Sequence, residues 1–320
     1  MKVDNDWEKL IADLYKGSER AMSRLISKVE NRENGWLETM QEIHKKTGSA
    51  RIIGITGSPG TGKSTLTGKL ARSFVELQKK VGIIAVDPSS PFSGGALLGD
   101  RLRMNEINCM PGVFVRSMAT RGALGGLSQS ARDVVKIMDA FGKDIIIIET
   151  VGVGQDEIDI VKTADVVLVV CVPGMGDGIQ AIKAGIMEIA DIFVVNKADL
   201  KGADQVVADI KSMLEMTNDG ATVPINMVVS TTGEGIKELT DIVSQSLMND
   251  QKKAAWKQEQ VQEEIMILLE KEVAFYLRSI WNDETRLSSV LKQVIAREQD
   301  PYTVVKEIMV PLIKACEDHR

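Results

Sequence analysis

The chain has 320 residues, 44% of them hydrophobic and 26% charged, with a formal net charge of −6. This is an ordinary composition for a soluble globular protein, long enough for one large α/β domain with extensions or for two domains. The acidic balance argues against a nucleic-acid partner, and apolar runs such as "VVLVVCV" at 166–172 are far too short to span a membrane.

Residues 1–48 read as a helical N-terminal extension. Trp7, Leu10, Ile11 and Leu14 recur at helical spacing, as do Ala21, Met22, Leu25, Ile26 and Val29, with Gly17 breaking between the two sets. The opening "MKVDNDWEKL" has no apolar core of the secretory kind, which predicts a cytoplasmic location. Residues 49–247 change character. Short β-branched runs ("RIIGIT", "VGIIAVD", "DIIIIET", "ADVVLVVCV", "DIFVVNK", "INMVVS") alternate with amphipathic helical stretches. Strands apolar on both faces and separated by helices predict an α/β fold with a mainly parallel sheet flanked by helices. Residues 248–320 return to helix, rich in Gln, Glu and Lys, with an apolar stripe at Val261, Ile265, Leu268 and Leu269. A helix with such a stripe needs a partner surface, on its own domain or on a second subunit.

The first run is followed directly by "GSPGTGKST", Gly57, Ser58, Pro59, Gly60, Thr61, Gly62, Lys63, Ser64 and Thr65, and then by a helical pattern. Strand, glycine-rich turn and helix form the context that the P-loop pattern G-x-x-x-x-G-K-[ST] requires. The glycines let backbone N–H groups turn inward around phosphate oxygens at the positive end of a helix. Lys63 is placed to bridge the β- and γ-phosphates and the Ser64 hydroxyl to ligate Mg²⁺.

About 130 residues later, "VVNKAD" ends a strand with Asn196, Lys197 and Asp199 in an N-K-x-D pattern. A carboxylate at Asp199 accepts hydrogen bonds from the ring N–H and the exocyclic amino group of guanine, which adenine does not present. The nucleotide expected is therefore GTP, with Lys197 along the base plane. "STTGEG", opening with Ser230, Thr231 and Thr232, suits a final base-contacting loop.

"ETVGVGQ" at 149–155 completes the site. Glu149 ends a strand and is expected to reach Mg²⁺, through water where the distance requires it, while the Gly152 amide contacts the γ-phosphate. Val153 stands where Ras-type GTPases orient water with Gln. Either turnover is slow or a carboxylate elsewhere helps, and Asp87 and Asp100 are the candidates. Asp87 ends the second strand, and Asp100 follows a Gly/Ser-rich stretch suited to a switch. A Gly-rich segment at 174–185, with Asp177, Gln180 and Lys183, offers a second switch that a partner can control. Cys109, Cys171 and Cys316 show no metal spacing and read as inert thiols. With only His44 and His319, a His-based metal site is disfavoured.

"VDPSSPFSGGALLGDRLRM", "VRSMATRGALGGLS", "ETVGVGQDE" and "VPGMGDGIQAIKAGIMEIADIFVVNKAD" together resemble the MeaB/ArgK/MMAA family across nearly the whole chain. These are P-loop GTPases associated with methylmalonyl-CoA mutase, similar to the metallochaperone GTPases of the SIMIBI class. The resemblance implies a GTP-dependent chaperone of an adenosylcobalamin-dependent acyl-CoA mutase, acting as a homodimer through its terminal helices. It also implies that Asp87, Asp100 and Glu149 surround Mg²⁺ and that the 174–188 loop communicates with the mutase. "RGALGG" departs from the family at Ala123, where relatives often carry a bulkier residue. Competing readings are an ATP-using kinase or transport-associated ATPase, against which Asp199 speaks, and a metal-insertion GTPase, which wants a His/Cys cluster. A structural dimer module that never hydrolyses its nucleotide is the remaining one.

Overall fold

The computed structural model describes residues 5–87, 110–119, 126–150, 163–174, 189–216, 223–248, 250–281 and 284–317. They fall into two compact units, 1–253 and 254–320.

In the first unit, helices α1 (Asn5–Tyr15), α2 (Glu19–Glu30) and α3 (Trp36–His44) lead into β1 (Arg51–Thr56) and α4 (Lys63–Glu76). There follow β2 (Val81–Asp87), β3 (Val113–Ala119), α5 (Gly126–Phe141), β4 (Ile145–Thr150), β5 (Val166–Cys171) and β6 (Ile192–Asn196). The unit continues through α6 (Ala203–Met216), β7 (Ile225–Val228) and α7 (Ile236–Leu247). The strands form one sheet in the order β3-β2-β4-β1-β5-β6-β7, with every pairing parallel. Parallel neighbours require crossovers, and among the described residues α4, α5 and α6 connect β1 to β2, β3 to β4 and β6 to β7.

β4 shows why its residues form a central strand. Its sequence IIIIET is buried throughout, and successive side chains point to opposite faces. Ile145 and Ile147 join the core beneath α4 and α7, with Leu66, Leu70 and Val243. Ile146 and Ile148 join the other core, beneath α5 and the N-terminal helices. That second core contains Trp7, Leu14, Met22, Leu25, Ile26 and Ile43, all almost fully buried. At about 1.5–3 kcal/mol per large apolar side chain, their burial is a major share of the stability on that side of the sheet. Helices α1–α3 are thus part of the layer covering β2 and β4.

Polar ties hold the same helices in place. Ser18 caps α2 by accepting the Ala21 N–H. Trp7 Nε1 donates to the Asn34 carbonyl at 2.8 Å. Arg116 of β3 pairs with Glu30 and donates to Ser27 Oγ. Asp139 of α5, itself buried, accepts the N–H groups of Gly48, Ser49 (3.2 Å) and Ala50 (2.9 Å), fixing the chain where it enters β1. Asp139→Asn replaces one acceptor oxygen with a donor facing those amides. We expect the variant to lose about 1–3 kcal/mol and its thermal midpoint to fall by several degrees. An unchanged midpoint in calorimetry would show that the clamp carries no weight.

Strand β3, "VFVRSMA", is not among the apolar runs, which correspond to the other six strands. It lies at the sheet edge, where Arg116 and Ser117 interrupt the run, and Arg116 pairs with Glu30 of α2. A further pattern links β4, β5 and β6. Each is immediately preceded by an aspartate that reaches the first amides of the neighbouring strand. Asp144 accepts from Lys80 N (2.7 Å), Asp165 from Ile52 N (2.8 Å) and Asp191 from Val167 N (2.9 Å).

The second unit contains most of α8 (Asp250–Trp281), with α9 (Glu284–Ile295) and α10 (Pro301–Glu317). Asp300 caps α10, its Oδ1 accepting the N–H groups of Tyr302 and Thr303 at 2.9 and 3.0 Å. The Thr303 contacts hold its carboxyl below the usual carboxylate range. On α8, Val261, Ile265, Leu268 and Leu269 are all exposed.

Candidate functional site

Residues 57–62 link β1 to α4 at the carboxyl ends of the strands, where open α/β sheets bind ligands. The loop is forced to be glycine-rich by close backbone approach. A Cβ on Gly57 (φ 149°) would stand 2.4 Å from the Val170 carbonyl oxygen of β5, and one on Gly62 (φ 87°) would stand 2.5 Å from Asn196 Nδ2 of β6. Gly62 is also the N-cap of α4 and brings no side chain to cover the helix terminus. The first-turn amides and the positive end of the helix dipole are therefore presented from the loop, as anion binding requires. Pro59 and Gly60 are exposed at the tip, and Thr65 is exposed on α4.

Lys63 is buried, and its Nζ lies across the loop, donating to the carbonyls of Gly57 (2.6 Å) and Ser58 (3.0 Å). Ser64 Oγ donates to Glu149 Oε1 at 2.5 Å. This meeting follows from the sheet, because β4 is paired with β1 and Glu149 stands opposite Ile55. Glu149 is buried as well. A hydroxyl beside a carboxylate is an all-oxygen donor set, which suits a hard cation such as Mg²⁺. Among the described residues, no group of three or more His, Cys, Asp and Glu side chains could hold a metal ion.

The predicted base side is tied to the phosphate loop by one amide. Asn196 Nδ2 donates to the Thr61 carbonyl at 2.7 Å. Its Oδ1 accepts from Lys197 N (2.8 Å), Ser230 N (3.1 Å) and Ser230 Oγ (2.8 Å). Lys197 takes a left-handed backbone (φ 57°), and its ammonium donates to the Gly60 carbonyl at 2.9 Å. The structure thus brings together Gly60, Thr61, Asn196, Lys197 and Ser230, which are far apart in the chain. Asp199, Thr231 and Thr232 are exposed around them, whereas Ser230 is buried and acts as a bracket.

The loop after β7 is closed in a way the sequence did not signal. Val229 and Glu234 form an antiparallel bridge, and Asn226 Nδ2 donates to the Gly235 carbonyl at 3.1 Å. A Cβ on Gly235 would stand 2.2 Å from the Met227 carbonyl oxygen, so glycine is required there. An asparagine within a strand belongs to no short motif, so the sequence pattern gives no sign of the role of Asn226.

Asp87 ends β2, whose neighbours are β3 and β4, so it stands two strands from β1. Asp100, Gly152, Val153, Asp177, Gln180 and Lys183 lie outside the described residues, as does the side chain of Asp87. Burial pushes the Cys171 thiol up to about 12, so it stays protonated and unreactive near neutral pH. No described helix is long and apolar enough to cross a membrane.

Comparison with known proteins adds an independent line. The family profile described as Methylmalonyl Co-A mutase-associated GTPase MeaB matches residues 21–280. A protein of Pyrococcus horikoshii, provisionally named a GTPase, is 45% identical over 314 residues, covering 96% of this chain and 98% of its own length. GTPase ArgK of Escherichia coli is 39% identical over 193 residues, 59% of this chain and 58% of its own. The mitochondrial methylmalonic aciduria type A homolog of Caenorhabditis elegans is 36% identical over 229 residues, 67% of this chain and 55% of its own. Among solved structures, an LAO/AO transport system kinase superposes with a TM-score of 0.70 at 23% identity, covering 98% of this chain and 99% of its own, a likeness of fold alone.

Proposed function

Because the chain belongs to the family of methylmalonyl-CoA-mutase-associated GTPases, MeaB, we propose that it is a Mg²⁺-dependent GTPase that serves as chaperone to an adenosylcobalamin-dependent acyl-CoA mutase. In this reading it gates cofactor loading and protects or reactivates the mutase. The observation that carries the nucleotide part is the Asn196 bracket, which joins the phosphate loop, the N-K-x-D segment and the 229–235 loop. The mutase part rests on the family and on the relative named for methylmalonic aciduria.

The geometry supports the roles of Lys63, Ser64 and Glu149, and the sequence motifs and the family resemblance supply the others. Lys63 sits over the loop that receives the phosphates and adds a charge-assisted contact to the transferring phosphoryl group. Ser64 and Glu149 are the residues that would hold Mg²⁺, which, when bound, neutralises charge developing on the phosphates. Asp199 reads the two guanine donors, and Thr231 and Thr232 line the base loop. Gly152 contacts the γ-phosphate, and Asp87 and Asp100 assist around the metal. The 174–188 segment, with Asp177, Gln180 and Lys183, transmits the nucleotide state to the mutase. The exposed stripe on α8 provides a homodimer contact, and the protein works in the cytoplasm.

A partner-controlled GTPase turns over slowly alone, and Val153 in place of a water-orienting Gln supports that property. We expect intrinsic GTP hydrolysis in the sluggish range of unassisted GTPases, accelerated by the cognate mutase. Phosphate release measured with and without adenosylcobalamin-dependent mutases, with ATP alongside GTP, tests this. Lack of stimulation by any of them would end the chaperone reading, and preferential ATP turnover would end the nucleotide assignment. Light scattering that found the full chain monomeric would remove the homodimer.

A further inference from the structure

The P-loop pattern leaves its four middle positions open, yet one of them here, Thr61, is almost fully buried and makes three distinct contacts. Its N–H and its Oγ1 both donate to the Ser58 carbonyl, at 3.3 and 2.9 Å. Its own carbonyl accepts from Asn196 Nδ2 at 2.7 Å. The Ser58 carbonyl also receives Lys63 Nζ at 3.0 Å. One oxygen therefore has three donors, and two of them come from Thr61.

Lys63 has competing duties. The ammonium holds two loop carbonyls, and it is also the group that serves a phosphoryl oxygen. Any share of its hydrogen bonding given to phosphate is taken from Gly57 and Ser58. A carbonyl that loses a donor inside a tight loop tends to turn outward toward water, because an unsatisfied polar group is costly, and an outward carbonyl repels phosphate oxygens. The Thr61 hydroxyl prevents this by keeping its own bond to the same oxygen.

We propose that Thr61 is a positioning residue for phosphate binding. Its hydroxyl holds the Ser58 carbonyl turned back into the loop, so that Lys63 is released toward the nucleotide without loss of loop shape. Its carbonyl passes the same restraint to Asn196 and the base side. This inference rests on the nucleotide reading above and deepens it, since the side chain acts through the loop backbone and Lys63.

The test uses two substitutions of opposite kind in the full chain. Thr61→Val keeps the shape and removes the donor, whereas Thr61→Ser keeps the donor and removes a methyl group. Titration of GTP and GDP should show Thr61→Val binding on the order of threefold to tenfold more weakly, the effect of one hydrogen bond. Thr61→Ser should restore most of that loss. The GTP:ITP preference should be the same in both, because the base is read elsewhere. Wild-type affinity in Thr61→Val, or an equal loss in Thr61→Ser, would overturn the inference while leaving the nucleotide reading intact. No GTP binding by the wild type would overturn both.

Discussion

Lys63→Ala should abolish GTP hydrolysis, with a fall in kcat of at least ~100-fold, the scale on which a single charge-stabilising donor contributes. Two effects act together. The transferring phosphoryl group loses a charge-assisted contact, and the Gly57 and Ser58 carbonyls lose the ammonium that spans them. Because Lys63 is buried, thermal melting must accompany the assay. A folded variant that is inactive assigns the loss to chemistry. A folded variant with near-normal turnover would place the phosphoryl-transfer site elsewhere in the molecule.

Asp199→Asn should invert base preference. The substitution keeps the size of the side chain but turns one acceptor into a donor, which then faces the donors of guanine. Xanthine presents an acceptor at the altered position, so XTP should gain as GTP loses. A relative change on the order of 10–100-fold follows from exchanging one or two matched hydrogen bonds for mismatched ones. Asp199 is exposed and takes no part in the Asn196 bracket, so the fold should be indifferent to the change. Competition between GTP and XTP for the variant provides the measurement. An unaltered preference for GTP would make the N-K-x-D match a coincidence of sequence.

Much of this was legible in the chain because it depends on local chemistry. "GSPGTGKST" between an apolar run and a helical pattern specifies strand, turn and helix by itself, and the observed strand and helix boundaries at Thr56 and Lys63 agree. The helical spacing of Trp7 to Leu14 and Ala21 to Val29 marked the buried faces of α1 and α2 correctly. What stayed hidden was non-local. Nothing near Asp139 indicates that it will accept three amides from residues 48–50. Nothing in "VFVRSMA" shows that Arg116 will pair with Glu30. Ser230 reads as a base contact, and the sequence does not show that it also brackets Asn196, because that depends on two strand ends meeting. That Asp87 stands two strands from β1 likewise depends on strand order.

The three aspartates that open β4, β5 and β6 supply something the apolar runs lack. A strand buried on both faces carries little register information, because a one-residue slip exchanges one isoleucine for another. "IIII" in β4 is degenerate in this sense, and "VVLVVC" in β5 nearly so. Asp144, Asp165 and Asp191 remove the ambiguity, since each meets its amide partner in one alignment only. Between β4 and β1 the Arg51 N–H donates to the Asp144 carbonyl at 2.9 Å, and this register sets Glu149 opposite Ile55 and within reach of Ser64. The placement of the candidate site at one end of the sheet therefore depends on contacts made at the opposite ends of its strands.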